Sequence, residues 1–572
     1  MKKSNWILIL FFAFTIVSCS NSEVPKSFDL VLSNGKIWTG ESDSPWAQWV
    51  AVRGDRIVAV GVENTPKASK SIDLAGRLMV SGFNDSHVHF ASAGSLLLGI
   101  NLLDVNSDSL FRQRVIEATK RLPEGSWITR GDWGAYEAWA AGSSGGSEKR
   151  RPYEPYRALI DDVTNDYPVL VTRYDRLVGM ANKAALDFLG IESRTGILRG
   201  TKLEEAQAAI PEKSFERRLK ETKRGLEECR KFGVTTVQDM SPLDQVDVYR
   251  KLAENGELTC RINFCPSSLD YYSTMIEKDW TMDWSDPTDP KPVSDSLFKN
   301  LITFGTIKTH IDGIMGARTA RFYEPYSDNT VERTSWRGGW RQFSEDMSSF
   351  KNMIIKADQG GIQLRVHAIG DEANAILLDI LDTLKIVNGE RERRFRLVHA
   401  QVIAPQDFPR FNDHKVVAEV QPYHVTDDMR WMEERIGFER CKGAYAFKTL
   451  QKSGSILSFG SDWPGTNASY YPINPLYGLY AAVTRQTING EPKDGWFPEQ
   501  KISLEDALKA YTWGSSFGAF EEKIKGTIAP GKLADFAVLD TDLFNSEPSE
   551  WLEANVDYTI VNGEVVYERG SD

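Results

Sequence analysis

The sequence predicts an α/β protein: a (β/α)8 TIM barrel with a small β-sandwich built from both termini and an inserted α/β subdomain. Three observations predict it. Short apolar runs alternate with helical patterns through the middle of the 572-residue chain, which is too long for one ordinary core. Two all-β stretches with turn signals stand at opposite ends. Six of the seven histidines fall at the ends of predicted strands, where barrel proteins place their chemistry.

The N-terminus reads as a targeting segment. Lys2 and Lys3 precede the apolar run "WILILFFAFTIV", which is too short for an ordinary membrane span. "IVSC" then resembles the lipobox of bacterial lipoproteins. Residues 1–18 are therefore expected to be a lipoprotein signal peptide, cut so that Cys19 carries lipid and "SNSEVPKS" acts as a tether. An ordinary secretory signal cut nearby is the alternative. The expected location is the bacterial cell envelope, on the periplasmic or surface side, with the membrane held through the N-terminal lipid.

Residues 28–80 and 525–568 are expected to form the β-sandwich. "DLVLSNGKIWTG" has a hairpin signal at Asn34-Gly35, "WVAVRGDRIVAVG" a turn at Gly54-Asp55, and "DYTIVNGEVVYE" a hairpin signal at Asn562-Gly563. Residues 81–524 are expected to form the barrel. Its eight candidate strands are "RLMVSGFND", "SWITRGD", "GVTTVQDM", "LITFGTIKTHID", "GIQLRVHAIG", "FRLVHAQ", "KVVAEVQPYH" and "SILSFGSDW". Helical patterns such as "DEANAILLDILDTL" follow several of them. The stretch of about 134–200 has its own strand "YPVLVTRYD" and helix "NKAALDFLGI", too much for a loop, and is read as the inserted subdomain.

Composition narrows the function. A hydrophobic content of 41% and a charged content of 26% are those of a globular chain. A net charge of −12 argues against a nucleic-acid partner, which needs a basic face. The partner expected is a small molecule, with homo-oligomer formation left open. Cys229, Cys260, Cys265 and Cys441 form no zinc-ribbon spacing and read as buried thiols.

The polar residues on the strands carry the chemistry. In "GFNDSHVHF", His87 and His89 stand at i and i+2, which puts both imidazoles on one side of an extended strand. Alone, H-x-H is a weak signal. Here Lys308, His310 and Asp312 alternate at another strand end, and His367, His399, His424 and Asp462 end four more. Nitrogen and oxygen ligands recurring at one end of many strands indicate a metal site.

These motifs resemble the amidohydrolase superfamily, in its YtcJ-like branch of metal-dependent hydrolases. The resemblance runs through "GFNDSHVHF", "VTTVQDM", "IKTHIDGIMGART", "HAIGDEAN", "LVHAQVI", "VQPYH" and "GSDWP", closed by "KGTIAPGKLADFAVLD". It implies a metal site of His87, His89, Lys308, His367, His399 and Asp462, holding one or two divalent ions, with zinc expected. It places His424 and Arg318 near the substrate. His310 and Asp312, on the face of Lys308, are expected there too. The reaction implied is hydrolysis of a non-peptide C–N bond, of amide or N-formyl type, by metal-activated hydroxide. Asp462 would carry the proton and His424 would stabilise the oxyanion. Related barrels carbamylate the matching lysine, so Lys308 is expected to bear a carbamate. Alternatives are the same barrel acting on an ester, lactone or cyclic amide, a deaminase, and a non-catalytic binding lipoprotein. The chain departs from the resemblance at Arg176 and Leu177, where the family often has Gly-His, and at Val398, where it often has Glu.

Other motifs carry less. "GSSGG" fits G-x-S-x-G at Ser144 but has no strand leading into it. "GTIAPGKL" imitates a phosphate loop without the Ser/Thr after its lysine and is read as a turn. His414 is expected to be solvated. Trp133, Trp139, Trp336, Trp340 and Trp463 are expected mainly to pack.

Overall fold

The computed structural model describes residues 28–134, 153–173, 176–286, 288–316, 318–328, 347–465 and 470–571. The expected signal peptide with Cys19, the Ser144 motif, and Trp139, Trp336 and Trp340 lie outside the described residues. Among the described residues no helix is long and apolar enough to cross a membrane.

Both termini contribute to one sheet. Its strands are β1 (Phe28–Trp38), β2 (Trp46–Arg53), β3 (Arg56–Gly61), β4 (Ala68–Asp73) and β5 (Leu78–Ser81), with β21 (Phe536–Leu539), β22 (Val556–Val561) and β23 (Glu564–Glu568) from the other end. The order is β23-β22-β21-β5-β1-β2-β3, with β4 also on β1. Hydrogen bonding joins these eight strands in one continuous sheet. The cause is the length of β1, which pairs with β4 through its first half and with β5 through its second. Alternate side chains such as Leu30, Leu32, Val50, Val52, Phe536 and Val538 form its core.

The turn signals divide. Gly54-Asp55 and Asn562-Gly563 turn tight hairpins. Asn34-Gly35 does not. β1 continues through it with a register shift, because Asn34 is pinned at φ 57 by Asp73 and by the backbone of Gly76. "GTIAPGKL" is a turn into β21, as its sequence suggests.

The inserted region forms a four-stranded sheet of β7 (Ile128–Trp133), β8 (Val169–Arg173), β9 (Val178–Ala181) and β10 (Ile197–Arg199). This corrects the strand list. "SWITRGD" contributes β7, which pairs with β8 and not with the central strands.

The central strands are β6 (Phe83–Val88), β11 (Val234–Asp239), β12 (Arg261–Phe264), β15 (Ile302–Phe304), β16 (Thr306–His310), β17 (Gln363–Ala368), β18 (Arg396–His399), β19 (Val417–Val420) and β20 (Ile456–Phe459). A hairpin, β13 (Met282–Asp283) and β14 (Lys291–Ser294), caps β15. Parallel pairing runs β6-β11-β12-β15 and β16-β17-β18-β19-β20. The architecture is thus α/β with mixed sheets. β15 and β16 are one run interrupted at Gly305, whose φ of 134 suits glycine alone. The strand that sequence reading missed is β12, four residues long and without a chemistry-bearing end. One strand wrongly included and one missed cancel, so the ordinal places from the Lys308 strand onward are unchanged.

The first and last of these strands also meet. Val88 bridges Trp463, Asp462 N donates to His87 O at 2.8 Å, and His89 N donates to Trp463 O at 2.8 Å. Asp85 fastens the junction by accepting from His87 N and Ser461 N. A side chain at Gly460 would meet His87 N at 2.6 Å, so the glycine of "GSDWP" permits this approach.

Candidate metal centre

The ends of β6, β16, β17, β18 and β20, with the residues just after β19, surround a cavity of about 360 Å3. Its wall includes His89, Lys308, His310, His367, His399, His424 and Asp462. His87 lies beneath, fully buried. Six of the seven histidines that sequence reading placed at strand ends are therefore gathered in one place. The His87 ring centroid is 5.4 Å from that of His89 and 5.3 Å from that of His399, while His367 and His399 are 4.5 Å apart.

Asp462 is the hub. Its Oδ1 is 3.4 Å from His87 Nε2 and 3.3 Å from His89 Nε2, and its Oδ2 is 3.8 Å from His424 Nε2. Two groups offer ligand atoms within 4.8 Å of one another: His87, His89 and Asp462; and His399, His424 and Asp462. The imidazoles are oriented from behind. His87 Nδ1 is 2.6 Å from Glu419 Oε1, and His399 Nδ1 is 2.7 Å from Gln421 Oε1. Such contacts fix the ring and turn the other nitrogen toward a metal. His424 Nε2 is buried with no hydrogen-bond partner among the described residues. A donor set of imidazole nitrogens and one carboxylate, with an orphaned imidazole nitrogen, fits a divalent transition ion.

Electrostatics agree with ligation. Burial, then the Lys308 cation, pushes His87 and His367 down to about 3. Burial lowers His424 to about 4. These rings are neutral, the form that ligates. Burial would raise the Asp462 carboxyl, but the hydrogen bond from His89 and the neighbouring imidazoles outweigh it and hold it well below the usual range. Lys308, fully buried with Nζ 3.3 Å from His87 Nε2, is pushed down to about 8, chiefly by burial. His399 and Asp462 adopt left-handed φ of 70 and 59, a strain of about 1–3 kcal/mol each that marks functional positions.

The remaining site residues sort by contact. His310 lines the cavity with its ring 5.0 Å from His367. Asp312 also lines it, but its carboxylate accepts from the backbone N–H of Ile369, Gly370 and Arg321, so it organises the loop after β17. Gly370 in "HAIGDEAN" has no room for a side chain, since a Cβ would lie 1.8 Å from Arg321 O. Arg318 is not among the residues of the cavity wall and pairs with Asp328. Arg176 has φ 60, a conformation that favours the glycine the resemblance leads one to expect there.

Sequence reading missed Glu419, Gln421, Trp431 and Tyr471. Glu419 was detectable. It is the one carboxylate in the run "VVAEVQ", and it shares a strand face with Gln421. Trp431 and Tyr471 line the cavity from segments without strand character, and Tyr471 lies 4.1 Å from the His424 ring. Trp133 and Trp463 are buried, as packing residues should be. His414 is not solvated: its ring is covered and lies 3.4 Å from Asp382. The four cysteines are buried free thiols.

A model of the amidohydrolase family matches residues 70–567, which takes in every one of these residues. The chain belongs to the amidohydrolase family. This amidohydrolase is 32% identical to the LONG AFTER FAR-RED 3 protein of Arabidopsis thaliana, over 94% of this chain and 91% of that protein. It is 28% identical to the putative amidohydrolase YtcJ of Bacillus subtilis, over 88% and 91%. It is 24% identical to the N-substituted formamide deformylase of Arthrobacter pascens, over 95% and 98%. A solved structure of an uncharacterized metal-dependent hydrolase from Pyrococcus furiosus superposes with a TM-score of 0.69 at 25% identity, covering 91% of this chain and 99% of that one.

Proposed function

We propose that this amidohydrolase cleaves a non-peptide C–N bond, of amide or N-formyl type, at a metal held by His87, His89, His367, His399, Lys308 and Asp462. The observation that carries the reading is the convergence on Asp462 of imidazoles whose far nitrogens are anchored by Glu419 and Gln421. The bond type is supported by likeness to the formamide deformylase. The reading takes the central strands as one closed (β/α)8 barrel, supported by the Val88–Trp463 bridge and the passage through Gly305. A divalent ion there, zinc being favoured by the imidazole donors, supplies Lewis acidity and an activated water. Asp462, kept ionised, accepts the water's proton and delivers it to the departing nitrogen. His424, facing the same cavity, supports the negative charge that develops on the carbonyl oxygen. The test is a hydrolysis screen of N-formyl amines, linear amides, cyclic amides and esters, run with metal analysis. Turnover of esters or lactones alone would overturn the bond assignment.

The reading includes carbamylation of Lys308. A neutral amine adds to carbon dioxide, losing a proton, to give an anion with two oxygens. Burial supports this by favouring the neutral amine. In protein purified with bicarbonate, Lys308→Ala is expected to lose metal and at least about 100-fold in activity, with partial rescue by a short carboxylic acid. Undiminished metal and turnover in Lys308→Ala would remove the carbamate.

The reading also places the protein on a membrane through lipid at Cys19, after cleavage of residues 1–18. Fractionation is expected to find the wild type in membranes and Cys19→Ser in the soluble fraction. A soluble wild type would end this proposal.

A further inference from the structure

Three carboxylates line the catalytic cavity: Asp312, Asp428 and Asp462. Asp462 belongs to the ligand set, and Asp312 is spent on backbone N–H groups. Asp428 serves neither purpose. It is 7% exposed and ends the short helix His424–Asp428. Its Oδ2 accepts from Gln401 Nε2 at 2.6 Å and from the Tyr445 hydroxyl. Among the described residues nothing donates to its Oδ1, and no cation pairs with it. The arginines that follow in sequence are committed elsewhere, Arg430 to Asp427 and Arg435 to Asp328. Lys308 lines the cavity but lies against His87. Burial pushes the Asp428 carboxyl up to about 7, opposed by those two hydrogen bonds alone. A buried carboxylate without a cation costs free energy, and an asparagine would make the same structural tie at less cost. The charge therefore points to a partner from outside the chain.

The carboxylate is held ready for one. Tyr445 N donates to Gln401 O at 2.8 Å, so the two residues that grip Asp428 also fix each other. Tyr445 keeps a left-handed φ of 48, a conformation that persists where the surroundings over-determine it and that clusters at ligand clamps. Arg485 supports that backbone by donating to Tyr445 O at 2.8 Å. Asp428 stands four residues after His424 on one helix, so both side chains project to one face, with Cβ atoms about 5–6 Å apart. Ile314, Met315, Ile369 and Trp431 give the same cavity apolar wall.

We propose that Asp428 receives a protonated amine carried by the substrate, so that the amide opened at the metal is one half of an acylated diamine with a short apolar spacer. The inference rests on the amide-hydrolase reading and narrows it. The ammonium stands about one helical turn from His424, and the spacer crosses the apolar wall. An ammonium brings three N–H donors and a full charge, which answers both the open Oδ1 and the uncompensated carboxylate. Asp428 is thus a specificity-determining residue and touches no reacting atom.

The test compares N-(4-aminobutyl)formamide with N-pentylformamide, in which a methyl group replaces the ammonium, on the metal-loaded full chain at about pH 8, where the amine is charged. The wild type is expected to favour the amine by about 30-fold in kcat/KM, mostly through KM. Asp428→Asn keeps an acceptor for Gln401 and Tyr445 but removes the charge, and is expected to erase the preference. Asp428→Ala reads the same ratio if the asparagine variant does not fold. An equal or reversed preference in the wild type, or one that survives in Asp428→Asn, overturns the ammonium assignment and leaves the amide-hydrolase reading standing. If neither compound is hydrolysed, both are titrated as ligands by calorimetry. Tighter binding of the amine by about 10-fold or more, lost in Asp428→Asn, keeps the assignment and sinks the N-formyl reading. Equal binding, or none, sinks the assignment.

Discussion

His399→Ala is expected to lose metal and activity together, with turnover down by at least about 1,000-fold. The ring leaves little room for another outcome. Its Nδ1 is occupied by Gln421 at 2.7 Å, so Nε2 is the nitrogen available to an ion. The backbone holds the residue at a left-handed φ of 70, which an alanine relieves no better than a histidine but does not need. Stability of the metal-free protein should therefore change little. The check is metal content by atomic spectroscopy, turnover, and urea melting of chelator-treated protein. His414→Ala is the control, since that ring lies beside Asp382 and away from the cavity wall. A His399→Ala protein with a full metal complement and normal rate would show that the ligand set is wrong.

Glu419→Gln should produce the largest loss of stability, about 3–5 kcal/mol. The carboxylate is fully buried. Arg365 grips it at 2.5 and 3.0 Å, Arg396 approaches to 2.8 Å, and His87 Nδ1 lies 2.6 Å away. Removing the charge strands two buried guanidinium groups, neither of which can shed its proton cheaply. Burial alone would raise the Glu419 carboxyl, but the two arginines and His87 hold it well below the carboxylate range. A group depressed in the folded state contributes stability above its unfolded pKa, about 4.3, and loses it as pH falls below that value. The wild type should thus lose urea resistance steeply below about pH 4.5, and the variant less steeply. Metal affinity should drop about 10- to 100-fold as well, because His87 loses its orienting partner. A loss under about 1 kcal/mol would mean that the network relaxes around the amide.

Much of the site was legible because ligands must be specific residue types at strand ends. H-x-H at 87 and 89 and the single histidines of β17 and β18 declare themselves in any linear reading. What supports them did not. Arg365 and Arg396 look like ordinary surface charges in the sequence, Glu419 stands out only by the apolar run around it, and the parallel register is what stacks the three into one buried cluster. β12 was missed because, unlike the equally short β18, it does not end on a ligand-type residue that would mark it. β7 was misassigned because a short strand does not state which sheet it joins. Asn34-Gly35 carries a hairpin signal that long-range pairing of β1 overrides.

The junction of β6 with the end of β20 has a consequence for how the protein is made. His87 and Asp462 approach within 3.4 Å, yet they lie near opposite ends of the central segment. A ribosome adding 5–20 residues per second needs on the order of half a minute to pass from the first to the second. Until then a nascent chain displays histidines with no carboxylate to complete either triad. On the proposed ligand set, ion capture would be a late event of biogenesis, and a chain terminated before residue 462 would lack the carboxylate common to both candidate groups, however well its earlier portion had assembled.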